Sequence, residues 1–190
     1  MYGLVNMAVE EFVQRRYGED LWQEVVEVVC PDLSGFAMME PYPDELTTRL
    51  VGESASRAGI EPSLLMRQVG QIWVEHSAKN GFGDLIELAG SELGEFLGNL
   101  DRLHGQIGSL YTALRPPSFR VERLGDGFHE LHYYSEREGL TPLVVGLIEG
   151  LAERFRVEVE VEHLPKRGER DHDVFLIREQ AATGGDARGR

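Results

Sequence analysis

FRVERLGDGFHELHYYSER, residues 119–137, decides the fold. Phe119 to Leu124 reads as a strand, Gly125-Asp126-Gly127 as a turn, and Phe128 to Ser135 as the returning strand. The hairpin ends in Tyr133, Ser135 and Arg137, a Y-x-S-x-R pattern. In an extended chain, residues two apart share a face. A phenol, a hydroxyl and a guanidinium therefore converge into a donor-rich patch with one fixed positive charge. Such a patch suits a carboxylate or a phosphate, which Arg grips bidentately.

The pattern continues outward on both sides. Pro142 opens a helix through Leu143, Val144, Leu147, Ile148, Leu151 and Phe155. Arg156 to Leu164 alternates strictly, with Val157, Val159 and Val161 on one face and Glu158, Glu160 and Glu162 on the other. That acidic row reads as solvated, with docking of a kinase as the weaker alternative. Pro165 to Arg170 turns the chain, and Asp173 to Arg178 is a last strand. Residues 181–190 are Gly-rich and apolar-poor, which predicts a disordered tail.

Upstream, Arg115-Pro116-Pro117 blocks helix continuation, and everything before it reads as helical. Residues 2–17 are stopped by Gly18, and Leu21 to Val29 forms a second helix. Asp44 is placed to cap a helix running to Ala58, which Gly59 ends. Pro62 opens the next helix. Ser91, Glu92 and Glu95 start a long helix ending near Leu114. A helical lobe followed by an antiparallel sheet with one crossing helix predicts an α+β fold.

Composition narrows the partners. At 190 residues the chain is one domain or two small ones. A formal net charge of −14 repels polyanions, so nucleic acid and anionic membrane surfaces are unsuited partners. No apolar segment is long enough to span a bilayer, and no basic leader opens the chain, so a soluble cytoplasmic protein is expected. Cys30 is alone, which excludes an internal disulfide, and no C-x-x-C spacing exists.

The long helix carries an apolar stripe of Phe96, Leu97, Leu100, Leu103, Ile107, Leu110, Tyr111 and Leu114, and His104 lies within it. Gly105 and Gly108 flank the histidine, as if something bulky approached the helix there. A lone imidazole on an apolar face is more often a satisfied core histidine, and Y-x-S-x-R can be the polar face of a half-solvated strand. Together they describe one object. A neutral imidazole in an apolar cavity holds an iron axially, while a nearby donor patch holds carboxylates. Haem has that shape and chemistry. Without C-x-x-C-H the haem would be non-covalent haem b.

These residues resemble the haem-nitric oxide/oxygen binding (H-NOX) family, bacterial relatives of the soluble guanylate cyclase haem domain. The resemblance runs from Met1-Tyr2-Gly3-Leu4-Val5-Asn6 to about Glu179. It implies a single domain over residues 1–180, with a helical N-terminal lobe over about 1–60, a four-stranded antiparallel sheet in the C-terminal lobe, and haem between them. It also implies His104 as the proximal iron ligand, Tyr133, Ser135 and Arg137 on the propionates, and Pro117 pressing on the porphyrin. The distal position that bears a tyrosine in oxygen-binding members matches Leu143 here, which has no donor. Dioxygen on iron gains from a donor and NO needs one far less, so NO and CO binding without stable dioxygen binding is expected. Trp73 also sits at a distal position, read as an apolar wall ahead of a donor, with Val5, Val9 and Leu147 completing that wall.

The resemblance further implies that NO loosens the His104 bond, relaxes the strain at Pro117 and lets the lobes shift. The output would pass to a separate protein, a histidine kinase or a cyclic-di-GMP enzyme. The remaining histidines, His76, His129, His132, His163 and His172, show no ligand spacing and default to surface or turn positions. No enzyme is expected: a haem peroxidase or dioxygenase would want distal acid–base groups, and none is placed there. The alternatives are a non-sensor haem protein and a cofactor-free module that binds an anion on the Y-x-S-x-R face.

Overall fold

The computed structural model describes residues 1–111, 115–164 and 171–180. The expected tail at 181–190, the turn at 165–170 and Leu114 lie outside them. The chain starts with α1 (Gly3–Tyr17), α2 (Glu19–Val29), α3 (Asp44–Ala58) and α4 (Pro62–Ser77). It continues through α5 (Gly83–Leu88) and α6 (Leu93–Leu110). Then come β1 (Ser118–Gly125), β2 (Phe128–Tyr134), α7 (Thr141–Phe155), β3 (Glu158–Leu164) and β4 (Asp173–Gln180). The four strands form one antiparallel sheet in the order β1-β2-β4-β3, so the fold is α+β as expected.

The local stops act as their chemistry requires. Gly59 closes α3 in the left-handed region at φ 68°, which costs a glycine little. Pro62 and Pro142 occupy the first turns of α4 and α7, where a missing N–H leaves no helical bond unmade. The Asp44 expectation needs correction. Pro43 is the cap residue and Asp44 the first helical one; its carboxylate turns to the Met1 ammonium instead. A charged donor outcompetes a neutral backbone N–H.

A second correction concerns α6. It ends at Leu110, and Leu110 and Tyr111 are exposed although the periodicity placed them in the buried stripe. The sheet covers only the first three turns, where Leu93, Phe96, Leu97, Leu100 and Leu103 are buried.

The apolar interior has two clusters. One gathers Val9, Val13, Trp22, Leu50 and Leu65 among the first helices; the other packs α6 and α7 on the sheet through Phe96, Leu97, Ile148, Phe175 and Ile177. Helices α4 and α7 contribute to both: Val69 and Leu143 to the first, Val74 and Val144 to the second. The two helices touch backbone to backbone. A Cβ at Gly146 would lie 1.9 Å from the Arg67 carbonyl oxygen, one at Gly70 2.3 Å from that of Leu143, and one at Gly150 2.3 Å from that of Gln71. The rim of this contact carries the Arg67–Glu149 ion pair, which Gln71 Nε2 joins at 2.9 Å.

Gly146→Ala should therefore destabilise the protein by about 1–3 kcal/mol, although helix propensity alone favours alanine by ~1 kcal/mol. A urea unfolding midpoint equal to or above the wild type's would contradict this packing.

Candidate functional site

An apolar cavity of about 250 Å³ opens between the two clusters. Helix α6 contributes Leu100, Leu103, His104 and Ile107; β1 and β2 contribute Phe119, Leu131 and Tyr133; Pro117 also lines it. Helix α4 supplies Trp73, Val74 and Ser77, and α7 supplies Leu143, Val144 and Leu147. From the N-terminus come Tyr2, Leu4 and Val5, and Met39 reaches in from the loop before α3. Val9 is not among the lining residues; it is fully buried in the helical cluster.

Helix α6 presents His104 with a defined tautomer. Its Nδ1 lies 2.9 Å from the Leu100 carbonyl oxygen. A carbonyl only accepts, so Nδ1 carries the proton and Nε2 keeps its lone pair. Burial holds the imidazole pKa below its ordinary value, opposed by the Leu100 carbonyl and by Asp101, so the ring stays neutral. The ring packs 4.7 Å from that of Phe119. One turn back, Asp101 Oδ1 accepts the Phe119 backbone N–H at 2.9 Å and ties α6 to β1. The two flanking glycines differ in what protein surrounds them. Gly105 meets nothing within 4 Å, and Gly108 makes room for Pro116, whose Cγ would lie 3.2 Å from a Cβ there.

Tyr133 is buried in the cavity wall, and its pKa is raised by burial against the opposing effects of Ser135 and Arg137. Ser135 and Arg137 line an adjoining polar pocket with Asp44, Arg115, Pro116 and Pro117. Pro117 is common to both spaces. Strand β2 ends at Tyr134, so the three residues converge through a loop as well as a strand. The Arg137 backbone N–H donates to Ser135 Oγ at 3.1 Å, and Tyr133 hydrogen-bonds the same side chain.

The Arg137 guanidinium faces several groups at once. It donates to the Arg115 carbonyl at 3.2 Å, lies 3.5 Å from Asp44 Oδ2, and stacks over the Tyr2 ring at 5.8 Å. The Met1 ammonium and Arg137 both pull the Asp44 pKa down, the ammonium more strongly. Sequence reasoning missed Tyr2, Met39, Asp44 and Phe119 as parts of this site. Only the seating of the loop over α1 reveals the first two: a Cβ on Gly3 would lie 2.0 Å from the Ala37 carbonyl oxygen, and Tyr2 pairs with Pro41.

Two histidines differ from their surface default. His76 is buried with Nδ1 2.5 Å from Glu11 Oε2, and His129 is buried with Nε2 3.1 Å from Glu179 Oε1. A carboxylate partner offsets the cost of such burial. His132 sits on the opposite side of β2 from Tyr133, 2.8 Å from His172. Among the described residues no group of three or more His, Cys, Asp or Glu side chains is arranged to hold a metal ion. These residues together offer an apolar cavity with one imidazole lone pair in its wall and an adjoining polar pocket that suits acidic substituents.

The family model described as Haem-NO-binding matches residues 2–163. The chain belongs to this family. Soluble guanylate cyclase gcy-35 of Caenorhabditis elegans is 31% identical over 93% of this chain and 26% of its own length. The human guanylate cyclase soluble subunit beta-2 is 39% identical over 54% of this chain and 18% of its own. The chain thus spans less than a third of these curated relatives.

Among solved structures, an H-NOX protein from S. oneidensis in the Fe(II)NO ligation state has a TM-score of 0.85. It is 20% identical, over 95% of this chain and all of that one. A point mutant of T. Tengcongensis H-NOX has a TM-score of 0.81 at 24% identity, over 95% and 98% of the two chains. These structures share the fold, and with the family match the chain is an H-NOX (Haem-NO-binding) domain related to soluble guanylate cyclases. Among the described residues, no helix is long and apolar enough to cross a membrane.

The part-buried imidazole, with its lowered pKa, has a pH consequence. Below about pH 6.5 the unfolded chain binds a proton that folded His104 resists, so stability falls with falling pH. Between pH 7.5 and 5.5 the haem-free wild type should lose more stability than His104→Gln, by at most about 1.4 kcal/mol. Parallel urea midpoints at the two pH values, identical in slope for both proteins, would remove His104 as the cause.

Proposed function

We propose that this chain is a single haem-binding domain over residues 1–180 that senses NO, and also CO, without retaining dioxygen, and reports to a separate effector protein. One observation carries the reading: His104 Nδ1 is committed to the Leu100 carbonyl, which leaves Nε2 as an available lone pair in an apolar cavity. Haem b, bound non-covalently, would supply a ferrous iron with one coordination position for Nε2 and one for a diatomic gas.

The chain's own residues do the rest. His104 would hold the iron through Nε2, in a tautomer and orientation that the Leu100 bond sets. Tyr133, Ser135 and Arg137 hold the propionates, with Arg137 offering the fixed positive charge. Pro117, a rigid ring common to the apolar and polar spaces, would meet the edge of a haem held there. Val5, Leu143 and Leu147 exclude water from the gas side and offer it no hydrogen-bond donor. Val9 backs that wall from within the helical cluster.

Signal output runs through α6. A change in what holds His104 moves a helix that Asp101 ties to β1 and that ends in exposed Leu110 and Tyr111. That is a two-state element biased by a ligand. The effector, by kinship with signalling proteins, is a histidine kinase or a cyclic-di-GMP enzyme, and the residues themselves carry no catalysis.

The deciding experiment is the absorption spectrum of the ferrous protein alone, with NO, with CO and in air. A Soret band that shifts with NO and CO and is unchanged by air is expected; a colourless protein that ignores added haem sinks the reading. Leu143→Tyr should slow loss of dioxygen by at least about tenfold, since a donor becomes available where none existed. His104→Gly should lose its axial bond and regain it with added imidazole.

A further inference from the structure

The Arg115-Pro116-Pro117 segment leads into β1, and its Pro117 lines both the cavity and the polar pocket. A proline has no backbone N–H, so across these three residues the one backbone donor is that of Arg115. Tyr2 takes it. The Tyr2 hydroxyl accepts the Arg115 N–H at 3.1 Å, from 113 positions away in the chain. The Arg115 carbonyl is held as well, by the Arg137 guanidinium at 3.2 Å. Both backbone polar groups of Arg115 are thus engaged immediately before the two prolines.

Tyr2 also meets Arg137 directly. The guanidinium carbon lies 5.8 Å from the centre of the Tyr2 ring, close enough for a cation to be drawn to an aromatic face. Tyr2, Arg115 and Arg137 therefore close a triangle of three contacts. Tyr2 itself is well seated. It precedes α1 as the cap residue, and its carbonyl accepts the Val5 N–H at 2.9 Å. On either side of it, the Met1 carbonyl accepts the Tyr42 N–H at 2.7 Å and the Gly3 N–H donates to the Glu40 carbonyl at 3.0 Å. Tyr2 lines the cavity too, as does Val5.

We propose that Tyr2 is a positioning residue for the haem site: its hydroxyl holds the segment that carries Pro117, and its ring holds the Arg137 guanidinium. The role rests on the haem-sensor reading. In that reading Pro117 would meet the haem edge and Arg137 the propionates, so one residue at the start of α1 sets two contacts made from the sheet side of the site. A tyrosine that served packing alone would need no hydroxyl, because phenylalanine fills the same space. The hydroxyl and the ring can therefore be tested one at a time.

In the haem-free protein, Tyr2→Phe should speed hydrogen exchange of the Arg115 amide by at least about threefold, since its hydrogen bond is gone. In the ferrous haem-loaded protein, Tyr2→Phe should weaken the out-of-plane haem bands of the resonance Raman spectrum, because Pro117 is held less firmly. Tyr2→Leu, which removes the ring as well, should lose haem to an excess of a haem-scavenging apoprotein about three- to tenfold faster than Tyr2→Phe. An unchanged Arg115 rate or unchanged Raman bands in Tyr2→Phe overturn the proposal, as does haem loss from Tyr2→Leu at the Tyr2→Phe rate. A lower thermal midpoint with all three readouts unchanged marks a packing role and overturns it too. A protein that takes up no haem defeats the sensor reading instead. Arg115 exchange then judges the Tyr2 hydrogen bond alone: faster exchange in Tyr2→Phe supports it and an unchanged rate defeats it.

Discussion

The rest of the structure depends on the approach of α4 to α7. Gly70, Gly146 and Gly150 let the two backbones meet where any Cβ would collide with a carbonyl oxygen. Both helices feed both apolar clusters, so this contact joins the helical lobe to the sheet lobe. It also sets the cavity. Trp73, Val74 and Ser77 project from one helix, and Leu143, Val144 and Leu147 from the other, as a wall whose spacing the glycines fix.

The other wall is set by hydrogen bonds and rings. The Leu100 carbonyl decides which imidazole nitrogen of His104 is protonated, and the Asp101 bond to β1 decides where Phe119 meets the ring. Desolvation lowers the imidazole pKa and so favours the neutral ring. The polar end is arranged differently. There Arg137 reaches groups from the N-terminus, the start of α3 and the segment before β1, so the charge that suits an anion also ties the two lobes.

Much of this was legible in the chain. Gly125-Asp126-Gly127 marked the hairpin, alternation of Val and Glu marked β3, and Pro62, Pro142 and Gly59 marked helix ends, because each acts through its own backbone or nearest neighbours. His104 and Tyr133 were legible as chemistry set against an apolar pattern. The less legible features depend on distant residues. Leu110 and Tyr111 continue a helical stripe but reach past the sheet that covers its first turns. His76 and His129 are buried because Glu11 and Glu179, 65 and 50 positions away, meet them. Tyr2 and Met39 join the site only because the loop closes on Gly3.

By itself the sequence determined the element order, the α+β class and the residue types able to hold a haem, since periodicity, turn chemistry and side-chain chemistry are local properties. Tertiary structure alone decided which of them share a cavity, which nitrogen of His104 is left available, and that the Tyr2 hydroxyl meets the Arg115 N–H. Those outcomes depend on where distant backbones come to rest, and three glycines with no side chain carry no pattern that would reveal it.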